Sequence, residues 1–315
     1  MKILIVGLGS IGRRHLNCLK KIGNTELAAL RTSKGSLKEP GGILEFFSIE
    51  DALNYHPDGV IIANPTSLHI KYAQAFLENG ARVLIEKPIA QDVEEAEALS
   101  AYADNLRVAY CMRFLSFYKF LREKLSKETA FKVSFKRSFY LPKWHPYADY
   151  RKEYTARKDL GGGVIRTLSH EIDLACHWLG SPVSINGVID KLSFLELDVD
   201  DFAFFSLKMP GGARANFELD YYSPININIG EAFTEKGKYF WDTKKLVFVS
   251  YESSIEQPLI QVENDFEDMY MDQMKDFVRF TKTGISENAT YNDAVEVMKI
   301  IKKVENQTIK KERKI

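Results

Sequence analysis

Ile3-Leu4-Ile5-Val6-Gly7-Leu8-Gly9-Ser10-Ile11-Gly12 joins an unbroken apolar run to a Gly-x-Gly-x-x-Gly turn. The run has no polar alternation, which is how a strand buried on both faces of a parallel sheet reads. A helical pattern from Arg13 to Ile22 follows. In that setting each glycine has a task. Gly7 turns the chain, Gly9 lets backbone approach a pyrophosphate, and Gly12 lets helix lie close to strand. The helix N-terminus adds unpaired N–H groups and a partial positive charge. Gly7, Gly9, Ser10, Ile11 and Gly12 are therefore the expected cradle for the phosphates of a dinucleotide.

Outward from the turn, strands and helices alternate. Glu26–Leu30, Gly59–Ala63, Arg82–Ile85 and Leu106–Tyr110 read as strands, with helical patterns over Leu68–Asn79 and Val93–Ala103. The alternation implies a parallel sheet wound on both faces, and such sheets bind ligands beyond the carboxyl ends of their strands. Asn64, Glu86, Lys87 and Arg113 stand at such ends and are expected to converge on one crevice. The second strand runs into Arg31-Thr32-Ser33-Lys34. An NAD site usually carries an acid there for the ribose hydroxyls. Two cations and two hydroxyls suit a 2′-phosphate instead, so Arg31, Thr32 and Ser33 make NADP the expected cofactor in preference to NAD.

From Phe131 the pattern changes. Phe131–Lys136 alternates apolar with polar residues, as do parts of Phe202–Met209, Ala213–Tyr221, Ile225–Thr234 and Lys245–Tyr251. That is the mark of an antiparallel sheet with one covered face. Pro210-Gly211-Gly212 and Glu235-Lys236-Gly237-Lys238 read as hairpin turns. The fold class is thus α/β, an N-terminal Rossmann domain over residues 1–119 and a C-terminal α+β domain over 120–315. A chain of 315 residues with 45% hydrophobic and 27% charged residues suits two ordinary soluble domains. Zero formal net charge offers no field to nucleic acid or an anionic membrane. Cys18, Cys111 and Cys176 are too few and too widely spaced for a disulfide framework or a metal site, which fits a cytoplasmic protein.

Four features in order resemble one family: the glycine turn, Asn64-Pro65-Thr66 with His69, Glu86-Lys87-Pro88, and Arg113-Phe114. Gly161-Gly162-Gly163 leading to Thr167-Leu168-Ser169-His170-Glu171-Ile172-Asp173 is similar to its triple-glycine and histidine segment. The family is the glucose–fructose oxidoreductase / inositol dehydrogenase / MocA (Gfo/Idh/MocA) family. The resemblance implies a second domain built on a large open, mostly antiparallel sheet, redox chemistry on sugars or cyclitols with NAD or NADP, and homodimers or homotetramers formed through the open sheet. It extends the cofactor set to Pro65, Thr66 and His69. The stretch from Trp144 through Tyr150 and Tyr154 is similar to members from surface-polysaccharide and nonulosonic-acid sugar pathways, which implies a sugar or nucleotide-sugar substrate.

Moving a hydride from a carbinol carbon requires the hydroxyl proton to leave. Histidine suits that task by its intrinsic pKa, and a lysine can hold the same oxygen. Lys87 and His170 are the expected catalytic pair. Arg113, Trp144, Tyr150 and Thr167 join them as expected substrate contacts, the aromatic rings offering a face to a sugar. Thr167 stands where the family usually has Asp. Threonine hydrogen-bonds but takes no proton at neutral pH, so a nucleotide-binding sensor or regulatory protein with weak turnover is the alternative.

Overall fold

The computed structural model describes residues 1–32, 43–146, 148–261 and 265–312. The chain divides into two compact units, Met1–Phe114 with Phe266–Val295, and Leu115–Asp265 with Glu296–Ile315.

In the first unit β1 (Lys2–Val6) is followed by α1 (Ser10–Ile22), then β2 (Glu26–Leu30), β3 (Leu44–Phe46), β4 (Gly59–Ile62), α2 (His69–Glu78), β5 (Arg82–Ile85) and β6 (Leu106–Val108). These strands lie in the order β6-β5-β4-β1-β2-β3 and run parallel, with the short strand Ala289–Thr290 added antiparallel beside β6. From β1 the chain builds one way through β2 and β3, then the other way through β4, β5 and β6. The reversal falls between β1 and β4, the place where such sheets open a crevice. Ile3, Leu4, Ile5, Val60, Ile61 and Ile62 are wholly buried, as the unalternated runs require.

The second unit holds α3 (Ser116–Leu125), β7 (Ala130–Tyr140), α4 (Val164–Thr167) and α5 (His170–Leu179). The strands β8 (Ser184–Asp190), β9 (Phe202–Lys208), β10 (Arg214–Asp220), β11 (Tyr222–Thr234), β12 (Gly237–Trp241), β13 (Lys245–Ser250) and β14 (Glu256–Gln261) follow. Its sheet has the order β14-β13-β12-β11-β7-β10-β9-β8. Among the described residues only β7 and β10 of this sheet pair parallel, over Lys132–Ser138 and Arg214–Asp220. One face is a row of rings set by register. Phe205, Phe217 and Phe135 are cross-strand neighbours and stack nearly flat, and Trp178 of α5 stacks on Phe135. The opposite face alternates as strand periodicity demands and mixes a ring with charges. Phe204 is half exposed there, across from Glu218. Lys136 pairs with Glu218 at 2.7 Å, and Glu231 takes both Lys132 at 2.7 Å and Lys238 at 2.8 Å.

The closing helices are α6 (Asp265–Thr283) and α7 (Tyr291–Glu312). A single cut at residue 119 would leave both in the second domain. The first unit takes Phe266–Val295, because Met274, Phe277 and Phe280 join Ile3, Ile5, Leu16, Ile61 and Leu84 in one buried cluster. Arg82 also donates to the carbonyls of Phe280 (2.6 Å) and Thr281 (3.1 Å) in the last turn of α6, where a helix favours a cation. Among the described residues no helix is long and apolar enough to cross a membrane.

Candidate functional site

Gly7 has φ +93°, and its N–H is held by Leu30 at 2.9 Å. A Cβ on Gly7 would meet the carbonyl oxygen of Ala63 and the amide of Asn64 at 2.9 Å, and one on Gly12 would overlap the Gly7 carbonyl. Among the described residues there is open space over Gly9: a Cβ would touch nothing within 4 Å. Gly9 is also the N-cap of α1 and brings no side chain to the helix start, and the first turn holds no acid. The first amides of a 13-residue helix therefore face an uncovered cradle beside a glycine, which fits a dinucleotide pyrophosphate.

Arg31 follows Leu30 directly, so the hydrogen bond to Gly7 places it next to the glycine turn. Its guanidinium Nη1 pairs with Glu45 Oε1 at 2.9 Å. Thr32 is exposed. Ser33, also expected near a 2′-phosphate, and Lys34 lie outside the described residues.

Across the reversal point the turns after β4 and β5 are tied together. His69 is 1% exposed. Its Nε2 lies 2.9 Å from the carbonyl of Asn64 and its Nδ1 3.0 Å from that of Pro88. Burial lowers its pKa, against the carbonyls of Asn64, Pro88 and Ile89, which favour the cation. The ring braces the two turns and turns no nitrogen to solvent. Thr66 is buried beside it and Pro65 is exposed. Glu86 is fixed from below by a residue that the motif reading passed over. His15, wholly buried on α1, holds Glu86 Oε1 with Nε2 at 2.6 Å, and Glu86 Oε2 accepts the Lys87 amide at 3.3 Å. Lys87 itself is half-buried at the end of β5, and the peptide joining it to Pro88 is cis. Tyr270 closes the group edge-on to His15 with centroids 6.2 Å apart. The Cys111 thiol behind it is pushed up to about 12, chiefly by burial. Arg113 is buried and bound to Asp293 at 3.2 Å. Burial alone would raise the Asp293 carboxyl, but Arg113 and Thr290 outweigh it and hold it below the usual range.

In the second unit His170 is the first residue of α5 and half-buried, with Glu171 and Asp173 buried in the same turn. Thr167 is 2% exposed and lies beside the Tyr221 hydroxyl, which donates to the Gly163 carbonyl at 2.9 Å. Trp144 is partly exposed, packed edge-on to Phe139 and stacked on His145. The Tyr150 hydroxyl accepts the Glu196 amide at 3.1 Å. Arg151 beside it is engaged by Asp149 at 2.8 Å and Glu196 at 3.3 Å.

Asp200 was not legible as a site residue. Its side chain fills the space beside Gly163, where φ is +116° and a Cβ would overlap the carboxylate. Its Oδ2 accepts the Ile165 amide at 3.1 Å. Burial is the main cause that pushes this carboxyl up to about 6. Glu305 adds to the rise, and the Ile165 amide and Arg166 oppose it. The folded state thus holds the proton more tightly than the unfolded chain, where aspartate titrates near ~3.9. The stabilisation is complete below that value and is lost as pH rises through 6. Asp200→Asn keeps the acceptor and abolishes the ionisation. It is expected to be more stable than the parent by about 2–3 kcal/mol at pH ~8 and about equal near pH ~4. Thermal melts across that range check this; an offset that does not change with pH would refute it.

Two family profiles match the chain. One, an oxidoreductase family with an NAD-binding Rossmann fold, covers residues 1–114. The other, the Gfo/Idh/MocA C-terminal domain, covers 123–240. The chain belongs to the Gfo/Idh/MocA family. Among relatives of this family member, glucose-6-phosphate 3-dehydrogenase of Bacillus subtilis (strain 168) is 31% identical over 178 residues, 51% of this chain and 50% of that one. The match thus spans about half the length of that relative. The scyllo-inositol 2-dehydrogenase (NAD(+)) of the same organism is 26% identical over 250 residues, 75% of this chain and 71% of that one. The solved structure of UDP-N-acetylglucosamine 3-dehydrogenase from Acidithiobacillus ferrooxidans superimposes with a TM-score of 0.79 at 18% identity, covering 98% of this chain and 97% of that one. The likeness confirms the fold: a Rossmann sheet and a second, mostly antiparallel sheet.

Proposed function

We propose that this Gfo/Idh/MocA protein is an NAD(P)-dependent oxidoreductase that interconverts a carbinol and a carbonyl on a sugar or nucleotide sugar. The observation that carries the reading is the uncovered glycine cradle at the start of α1, in the same unit as a lysine at the end of β5. The names of the relatives, dehydrogenases of a sugar phosphate and a cyclitol, support the substrate class. A bound nicotinamide would accept or return the hydride. The chain's own residues do the rest. Gly7–Gly12 and the α1 amides hold the phosphates. On the adenosine side Arg31 favours a 2′-phosphate, as in NADP, and Glu45 favours the free hydroxyls of NAD. Lys87 Nζ holds the substrate oxygen and offsets negative charge as its proton departs. His170 takes that proton and returns it in the reverse direction. The open sheet face serves as the subunit contact.

The test is a panel of free, phosphorylated and nucleotide-linked sugars, followed by nicotinamide absorbance with both cofactors, beside fluorescence titration of NADH and NADPH. Binding of at least one nucleotide and turnover of at least one sugar are expected. Failure to bind either nucleotide would overturn the reading. Tight binding with no turnover on any member would favour the sensor alternative, for which Thr167, standing in place of an acid, is the supporting feature.

A further inference from the structure

We infer that Glu45 sets the nucleotide selectivity of the first unit by holding Arg31, an inference that rests on the nucleotide reading above. β2 and β3 run parallel with Ala29 opposite Glu45 and Leu30 opposite Phe46. The Arg31 amide extends that ladder by donating to the Phe46 carbonyl at 3.0 Å. The backbone of Arg31 is thus pinned on two sides, by Phe46 directly and by the Leu30–Gly7 hydrogen bond through its neighbour. The side chains of Arg31 and Glu45 retain 13% and 28% exposure, so the pair is neither a solvated surface bridge nor sealed from a ligand.

This arrangement changes what the cation at the end of β2 can do. A lone guanidinium there would attract a 2′-phosphate through charge-assisted, paired hydrogen bonds. With Glu45 Oε1 2.9 Å from Nη1, a phosphate must approach a carboxylate as well, and it competes with that carboxylate for the Nη1 N–H. Discrimination then follows from a repulsive partner rather than an attractive one. A ribose bearing only hydroxyls meets no such conflict, and the carboxylate can accept its O–H. The acid that a Rossmann site commonly places at the end of the second strand is supplied here from the third.

Removing the charge at position 45 while keeping its shape is the direct test. Glu45→Gln is expected to tighten NADPH about tenfold, because the phosphate no longer meets a like charge, and to weaken NADH about two- to fivefold, because the ribose hydroxyl exchanges a carboxylate acceptor for a neutral one. Arg31→Gln is expected to weaken NADPH and to shrink the effect of the second substitution in the double variant, since the release of the guanidinium is then lost and only the change in repulsion remains. Affinities are read by fluorescence titration at fixed ionic strength, with thermal melts confirming that each variant folds. If wild type binds both nucleotides and Glu45→Gln leaves their ratio unchanged, the role of Glu45 is overturned and the nucleotide reading stands. If wild type binds neither, the nucleotide reading fails, and the role of Glu45 with it.

Discussion

Gly12→Ala is expected to lose both nucleotide binding and stability, whereas Gly9→Ala is expected to lose binding alone. The contrast follows from what surrounds each glycine. A Cβ on Gly12 overlaps the Gly7 carbonyl. Gly7 cannot retreat, since its N–H is bonded to Leu30 and it lies against the backbone of Ala63 and Asn64. The methyl group must therefore push α1 off the sheet, at about 1–3 kcal/mol or more, the usual range for overpacking a tight core. Among the described residues Gly9 has no neighbour within 4 Å of the added atom, so its alanine variant should melt with the parent. That atom would stand where the pyrophosphate has to come close to backbone. A drop in NAD(P)H affinity of at least about a hundredfold is expected for both variants, with a lowered melting temperature for Gly12→Ala only. Unchanged affinity in Gly9→Ala would show that the cradle does not hold the phosphates.

The first sheet was legible because its strands are buried on both faces. Val60–Ile62 and Ile3–Val6 read as strands of a buried parallel core, and the helices between them implied winding on both faces. The second sheet was legible as alternating strands but not in its order. The parallel pairing of β7 with β10 joins residues about 80 positions apart, and no local pattern carries that information. The helix over 265–283 shows the same limit. Which core receives Met274, Phe277 and Phe280 depends on the whole fold.

Within the site, the motifs found the residues that touch a turn and missed the ones that hold it. His15 could have been found: with Gly12, Leu16 and Leu19 it makes the i, i+3, i+4, i+7 face of α1. Its partner could not, since Glu86 lies on another strand. Glu45 follows a stretch with no periodic signal, and its bond to Arg31 exists only because β3 aligns beside β2. His69 and Thr167 were read as ligand contacts. Both are almost fully buried, and His69 bridges the carbonyls of Asn64 and Pro88, a bracing of two turns that no motif spells out.

Lys87→Met is expected to reduce turnover by about 10²–10⁴-fold while leaving nucleotide affinity within about threefold. The position of Lys87 owes little to its own side chain. The β4–β5 ladder continues past Ile85, with the Glu86 amide donating to Ile62 at 2.9 Å. Glu86 is held by His15 and accepts the Lys87 amide, and Pro88 by His69. Methionine keeps the stem volume and removes the ammonium, so the variant should fold and bind as before. His170→Gln should lower turnover within the same range, because glutamine cannot carry a proton at neutral pH. Steady-state rates on the best substrate of the panel, read beside fluorescence titration, separate the two effects. A Lys87→Met enzyme with full turnover would remove Lys87 from the chemistry. Loss of nucleotide affinity in step with turnover would instead make Lys87 a cofactor contact rather than the group that holds the reacting oxygen.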